Sequence, residues 1–238
     1  MKKAISSGVK VLIILILIPL LYVVGIIIYG TVTDYQPEET ISLNYWGTSD
    51  ETISTNNFSF LIWNIGYAGL GEKEDFFYDG GDGIRPEKEQ HELYMSGIER
   101  TLGEFSGTDF IMIQEIDTNS KRSYYGNQLH RIAASLPGYA YNYATNYQVG
   151  FIPEPLVGSP TNALGAVQAG LGTYTKYVPS SSTRLQFPGE FPWPKSVFFL
   201  DRCMLVMRHP LASGKELLVI NTHNSAYDED GTLKAAEM

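Results

Sequence analysis

The sequence predicts an α/β protein: two β-sheets with helices packed outside them, preceded by a membrane-spanning helix. Three observations lead there. An uncharged apolar run, Val11 to Thr33, stands near the N-terminus. Two short apolar runs, "FLIWN" and "DFIMIQE", flank a segment whose apolar residues recur at helical spacing. From Tyr139 onward the chain turns to strand-like runs separated by Pro-, Gly- and Ser-rich loops. A strand, a long crossover and a second strand suggest a parallel βαβ unit. A helix-rich half followed by a strand-rich half asks for two sheets with helices outside. With 238 residues, 44% of them hydrophobic, the chain can build one sizeable core.

The N-terminal run is long enough to cross a bilayer, since ~20 helical residues span a hydrocarbon core of ~30 Å. Pro19 lies inside it, and membrane helices tolerate proline better than soluble ones do. Lys2, Lys3 and Lys10 precede the run; Asp34, Glu38 and Glu39 follow it. The positive-inside bias makes residues 1–10 cytoplasmic and 11–33 a single-pass signal anchor, and puts the remainder on the exterior, periplasmic or extracellular side. A cleaved signal peptide is the alternative. Its apolar core is ~7–15 residues long and ends at a small-x-small site, whereas this run is longer and no A-x-A follows.

Without those three lysines the exported part holds 14 basic against 26 acidic residues, a net charge of −12. That weighs against a general nucleic-acid binder, which wants a basic face. The single cysteine, Cys203, excludes an internal disulfide and the multi-cysteine zinc patterns, and reads as a small buried hydrophobe.

Residues 34–57 are polar and aperiodic, which predicts a linker. The domain, 58–238, opens with "FSFLIWNIGY", a strand ending at Asn64. Asp75, Asp79 and Asp82 in the next loop lack the alternate-position spacing of a calcium loop and read as solvated. Pro86 opens a helix, with Glu87 and Glu89 complementing its dipole and Tyr94, Ile98, Leu102 and Phe105 forming its apolar stripe; Gly107 ends it. "DFIMIQE" is then a strand buried on both faces. A second helix runs from about Ser123 to Leu136, with Tyr125, Leu129, Ile132, Ala133 and Leu136 on one side, and Pro137-Gly138 stops it. "YAYNYATNY", "NALGAVQAGLGTYTKYV", "SVFFLDRCMLVMRHPL" and "KELLVINTH" are strand-like, and the aromatic "FPGEFPWP" is a loop. Asp228, Glu229 and Asp230 begin a solvated helix.

Three apolar strands end alike: "FLIWN" at Asn64, "FIMIQE" at Glu115 and "LLVINTH" at His223. Ligands of open α/β sheets bind off the carboxyl ends of strands. The set suits phosphate chemistry. A hard cation such as Mg²⁺ takes one or two carboxylates plus water and phosphate oxygens, and Glu115 offers a carboxylate. Asn64 offers a donor and an acceptor. His223 can donate to a phosphoryl oxygen whose charge grows in the transition state.

On these residues the chain resembles the endonuclease/exonuclease/phosphatase superfamily, the fold of pancreatic-type deoxyribonucleases, abasic-site endonucleases, neutral sphingomyelinases and inositol-polyphosphate phosphatases. "FLIWNIG", "DFIMIQEID", "AGLGTYTKYV" and "LLVINTHN" occur in the family's order over residues 58–238. The resemblance implies a four-layered α/β sandwich, two mixed β-sheets flanked by helices. It implies Mg²⁺-dependent (or Mn²⁺-dependent) phosphoester hydrolysis with Asn64, Glu115 and His223 catalytic. Glu115 and Asn64 would hold the metal. Tyr174 stands where the family's strand ends near substrate and is either a substrate contact or a packed tyrosine, and Arg202 either reaches a phosphate of the substrate or pairs with a nearby carboxylate. The family's G-D-x-N and D-H pieces do not occur, so the chain is expected to be a C-terminally truncated, inactive form of an active parent.

The expected partners are a phosphoester substrate (nucleic acid, lipid headgroup or inositol phosphate) and the membrane, with the chain monomeric. Two readings compete. A non-catalytic envelope binding module would keep the fold without the missing motifs. A glycoside hydrolase would need a second acid paired with Glu115 across a cleft. P-loop, H-E-x-x-H and G-x-S-x-G motifs do not occur.

Overall fold

The computed structural model describes residues 7–49, 51–77, 80–154, 163–225 and 231–237. Helix α1, Ser7–Val32, carries the apolar run, with its leading side chains exposed. By length and composition it can cross a membrane. Two strands follow, β1 (Thr40–Leu43) and β2 (Trp46–Gly47), then β3 (Phe60–Asn64), helix α2 (Lys88–Glu104), β4 (Phe110–Asp117), helix α3 (Gln128–Ser135), β5 (Ala140–Ile152), β6 (Gly165–Thr175), β7 (Ser181–Gln186), β8 (Cys203–Pro210), β9 (Glu216–Thr222) and a short helix α4 (Thr232–Glu237).

The strands make two sheets, a five-stranded one in the order β2-β5-β6-β4-β3 and a four-stranded one in the order β1-β7-β8-β9. The first is mixed, because β3 and β4 run parallel across the α2 crossover while its other pairs are antiparallel. The second is antiparallel throughout. The segment expected as a linker is therefore built into the domain. Thr40–Leu43 extends one sheet and Trp46–Gly47 the other. These edge strands are two to four residues long and carry too little alternation to be seen in the sequence.

Ile111, Ile113 and Ile116 of β4 pack with Met95, Ile98 and Leu102 of α2 and Leu129 and Ile132 of α3 on the outer face of the five-stranded sheet. Phe110 and Met112, the alternate β4 residues, meet Val219 of β9 in the gap between the sheets. Cys203 lies there too, beside Leu171 and Leu205, and burial pushes its thiol up to about 11. Among the described residues no helix covers the outer face of the four-stranded sheet, where Leu218 and Ile220 are 45% and 46% exposed. Among the described residues three of the four expected layers are thus seen.

The helices shift from their expected bounds. α2 begins two residues past Pro86 with Glu87 as its cap, and the buried stripe is His91, Met95, Ile98 and Leu102, leaving Phe105 exposed. α3 begins at Gln128, not Ser123. Lys121–Ser123 forms a 3-10 turn, Tyr124 and Tyr125 take positive φ, and the Asn127 side chain then accepts from His130 N–H.

Candidate active site

The parallel β3–β4 register places Asn64 beside Gln114 at the carboxyl ends of both strands. The next residue breaks the ladder. Between the pairs Ile113–Gly172 and Ile116–Gly170 the register shifts, so Gln114 and Glu115 together oppose Leu171. This is a β-bulge, which re-aims a side chain at the rim of a sheet. Glu115 adopts φ +56°, a left-handed conformation that costs a non-glycine residue roughly 1–2 kcal/mol.

The extra residue lets Gln114 stay on the gap side and Ile116 return to the helix side, while Glu115 leaves the alternation. Asn64 Nδ2 donates to Glu115 Oε1 at 2.9 Å. Gly66 N–H donates to Asn64 Oδ1 at 2.9 Å, which fixes the orientation of the amide. His223, the residue after β9, brings its Nε2 to 3.7 Å from the same Glu115 oxygen.

Both sheets thus contribute to one site, and a buried amide pair holds them there. Gln114 Nε2 donates to Asn221 Oδ1. Asn221 Nδ2 in turn donates to the carbonyls of Ile113 and Gly172. These are carbonyls at the bulge, where the ladder is interrupted.

Burial holds the His223 imidazole below its ordinary range, outweighing the opposite pull of Glu115, and the Arg202 cation adds to the lowering. The ring is therefore neutral near pH 7, and its Nδ1 has no hydrogen-bond partner among the described residues. Arg202 Nη1 donates to the His223 carbonyl at 2.6 Å. Below Glu115, Asp117 is fully buried and paired with Arg122 through two hydrogen bonds of 2.9 and 3.0 Å. The Arg122 guanidinium sits 3.6 Å over the Tyr67 ring. Burial opposes its charge, yet Asp117, with smaller contributions from Tyr67 and Glu115, holds its pKa above the ordinary value. Tyr67 and Ala68 also take positive φ, +43° and +54°. Backbone strain gathered in one place is characteristic of functional sites.

Among the described residues no group of three or more His, Cys, Asp or Glu side chains stands ready to hold a metal. Glu115 and Asn64 supply one carboxylate and one amide oxygen. That donor set fits Mg²⁺, which keeps several waters and takes further oxygens from phosphate. It falls short of zinc, which takes three or four protein ligands, mostly His and Cys.

No protein-family model matches the chain, and no curated protein matches it. Solved structures do. An endonuclease/exonuclease/phosphatase from Beutenbergia cavernae DSM 12333 superimposes with a TM-score of 0.50 at 16% identity, over 75% of this chain and 41% of its own. ANGEL2, described as a 2′,3′-cyclic phosphatase, superimposes with a TM-score of 0.50 at 19% identity, over 85% of this chain and 49% of its own. The chain has the endonuclease/exonuclease/phosphatase fold. It spans less than half the length of either structure.

Within the endonuclease/exonuclease/phosphatase fold the expected residues separate into two groups. Asn64, Glu115 and His223 come together, with Arg202 behind His223. Tyr174 does not join them. β6 runs antiparallel to β4, so Tyr174 pairs with Ile111, near the strand's far end. It is fully buried, donates to the Leu129 carbonyl at 3.1 Å and stacks on Tyr141. Its expected substrate role is corrected to packing.

Tyr67, Asp117 and Arg122 escaped the sequence reading. Asp117 stands two residues past Glu115, but only the bulge shows that it faces Arg122 rather than solvent. The glycosidase reading loses its footing here, because Glu115 is partnered by an amide and an imidazole and Asp117 is tied to Arg122. Asp79, and Asp228, Glu229 and Asp230, lie outside the described residues, as do Lys2 and Lys3.

Proposed function

We propose that this chain carries the cation- and phosphate-binding part of a membrane-anchored, Mg²⁺-dependent phosphoesterase. One observation supports this above the rest: Glu115 Oε1 lies 2.9 Å from Asn64 Nδ2 and 3.7 Å from His223 Nε2, although the three residues come from strands of two sheets. Glu115 and the Asn64 amide oxygen would hold Mg²⁺ or Mn²⁺. When bound, the ion neutralises phosphate charge and stabilises the attacking or leaving oxygen.

The chain's own residues orient the reactants. Asn64, locked by Gly66, keeps one Glu115 oxygen in place. His223 enters neutral and donates from Nε2 toward a phosphoryl oxygen as negative charge grows there. Arg202, held on the His223 carbonyl, adds positive potential for a phosphate. The substrate is a phosphodiester or phosphomonoester of a nucleic acid, a lipid headgroup or an inositol phosphate. The anchor is α1, with the domain on the exterior face and the chain monomeric.

The test begins with binding. Full-length chain in detergent is titrated with Mn²⁺ and followed by electron paramagnetic resonance, with and without inorganic phosphate, as wild type and as Glu115→Gln. The variant should bind Mn²⁺ at least about tenfold more weakly, ~1.4 kcal/mol. Mg²⁺-dependent hydrolysis of nucleic acid, sphingomyelin and inositol phosphates is then measured. Equal Mn²⁺ affinity in both proteins, or hydrolysis indifferent to chelator, overturns the proposal. The second reading is a non-catalytic binding module on the same fold. Cation and phosphate binding without turnover is its signature.

A further inference from the structure

The apolar helix does not leave the domain as a free tether. Gly30, in the last turn of α1, is buried, and a side chain there would meet Val197 at 2.9 Å and the Phe198 ring at 3.1 Å. One residue on, Thr31 Oγ1 accepts from Trp193 Nε1 at 3.1 Å. On the other side, Gly150 at the tip of β5 approaches so closely that an added Cβ would lie 2.5 Å from the Tyr29 hydroxyl. The end of α1, the loop 187–199 and the tip of β5 are therefore one continuous surface.

The composition of that surface fits a lipid boundary. Trp193 is 62% exposed although its ring nitrogen is satisfied. The Lys195 ammonium lies over the rings of Phe191 and Phe199, at 3.7 and 4.7 Å from their centres. Tryptophan gathers at the edge of the hydrocarbon, and lysine lays its stem on apolar surface while its charge reaches the headgroups. The depth agrees too. Counting from Val11, ~20 helical residues span the ~30 Å of hydrocarbon and end at Gly30, the level of Trp193. Gly25 and Ile26, about 6–8 Å deeper, line an apolar wedge of about 480 Å³ with Leu21, Tyr22, Tyr29 and Phe151. The wedge is centred on the ~5–10 Å to which interfacial elements sink, with Tyr22 and Leu21 at its foot about 12–14 Å down.

We infer that the loop 187–199, with the tip of β5, is seated in the outer interfacial layer of the bilayer that α1 crosses, so that the domain has two attachments to the membrane and a fixed orientation on it. This rests on the reading of α1 as a membrane span. Its occupant is a lipid surface, with acyl chains filling the wedge beside Phe151. The seat reaches the site directly. Phe198 O accepts from Tyr147, and four residues later Arg202 holds the His223 carbonyl. Four residues extend at most about 14 Å, so the site lies within reach of the headgroup layer.

The chain is reconstituted in phosphatidylcholine vesicles carrying bromine at a shallow or a deep position of the acyl chain, and tryptophan emission is recorded. The chain has three tryptophans, of which Trp46 lies in β2 and Trp63 in β3. About one third of the emission, the share of one tryptophan in three, should be quenched, more by shallow than by deep bromine. Trp193→Phe should abolish the quenching, and since the side chain is exposed the substitution leaves folding intact. Resistance of the same vesicles to alkaline carbonate extraction reports on α1 separately. Retention without Trp193 quenching, or equal quenching in wild type and variant, overturns the seat while leaving the span. Extraction of the chain overturns both.

Discussion

Gln114 Nε2 donates to Asn221 Oδ1 at 2.8 Å across the gap between the two sheets. Each residue stands one or two positions before a site residue, Glu115 on β4 and His223 after β9. The pair therefore sets the distance between the carboxylate and the imidazole. Both side chains are buried, and a buried polar group stripped of its partner costs about 1–3 kcal/mol.

Gln114→Leu and Asn221→Leu should each lower the unfolding free energy in urea by about 1–3 kcal/mol. The double variant should lose less than the sum, because the hydrogen bond the two amides share is lost only once. Additive losses would mean that the two amides are independent. Mn²⁺ affinity should fall in both single variants without any change in the residues proposed to bind it.

The bulge makes an unusual prediction at Glu115. In an ordinary strand alanine is more stable than glycine by roughly 0.5–1 kcal/mol. At φ +56° the order should reverse, with Glu115→Gly more stable than Glu115→Ala by about 1 kcal/mol. Both variants lose the carboxylate equally, so the difference isolates backbone strain. Denaturation midpoints of the two proteins decide it.

Asn64→Asp puts a second carboxylate where Asn64 Nδ2 now donates to Glu115. Like charges at this distance disfavour joint ionisation. The metal-free variant should be less stable than wild type at neutral pH, as read from urea midpoints. Mn²⁺ should bind it more tightly than wild type, since the ion relieves the repulsion. An unchanged or weaker affinity would show that Asn64 does not face the cation.

His209 is fully buried against Phe110, and burial pushes its pKa down to about 4. A histidine depressed on folding gives stability that is complete above its unfolded value of about 6.5 and is lost as pH falls through the folded value. The domain should lose about 3 kcal/mol between pH 6.5 and 4 from this one group, at 1.36 kcal/mol per pH unit. In His209→Phe the urea midpoint should depend less on pH over that window. An identical pH profile in the variant would remove His209 as the cause.

Strands and helices with a long apolar pattern were legible along the chain, and so were the polar residues at their ends. "FLIWN", "FIMIQE" and "LLVINTH" announce their polarity change locally, because a strand buried among its neighbours must be apolar until it emerges. Asn64, Glu115 and His223 were legible for that reason. Tertiary structure decided the rest. The bulge at Gln114–Glu115 exists only against Leu171 of β6, so no pattern within β4 reveals it. The direction of β6 places Tyr174 in the core, although its strand carries a site-like sequence. Edge strands β1 and β2 take their shape from partners distant in the chain. The docking of Gly30 on Val197 likewise needs two segments far apart in sequence to meet, and periodicity in either one carries no trace of the other.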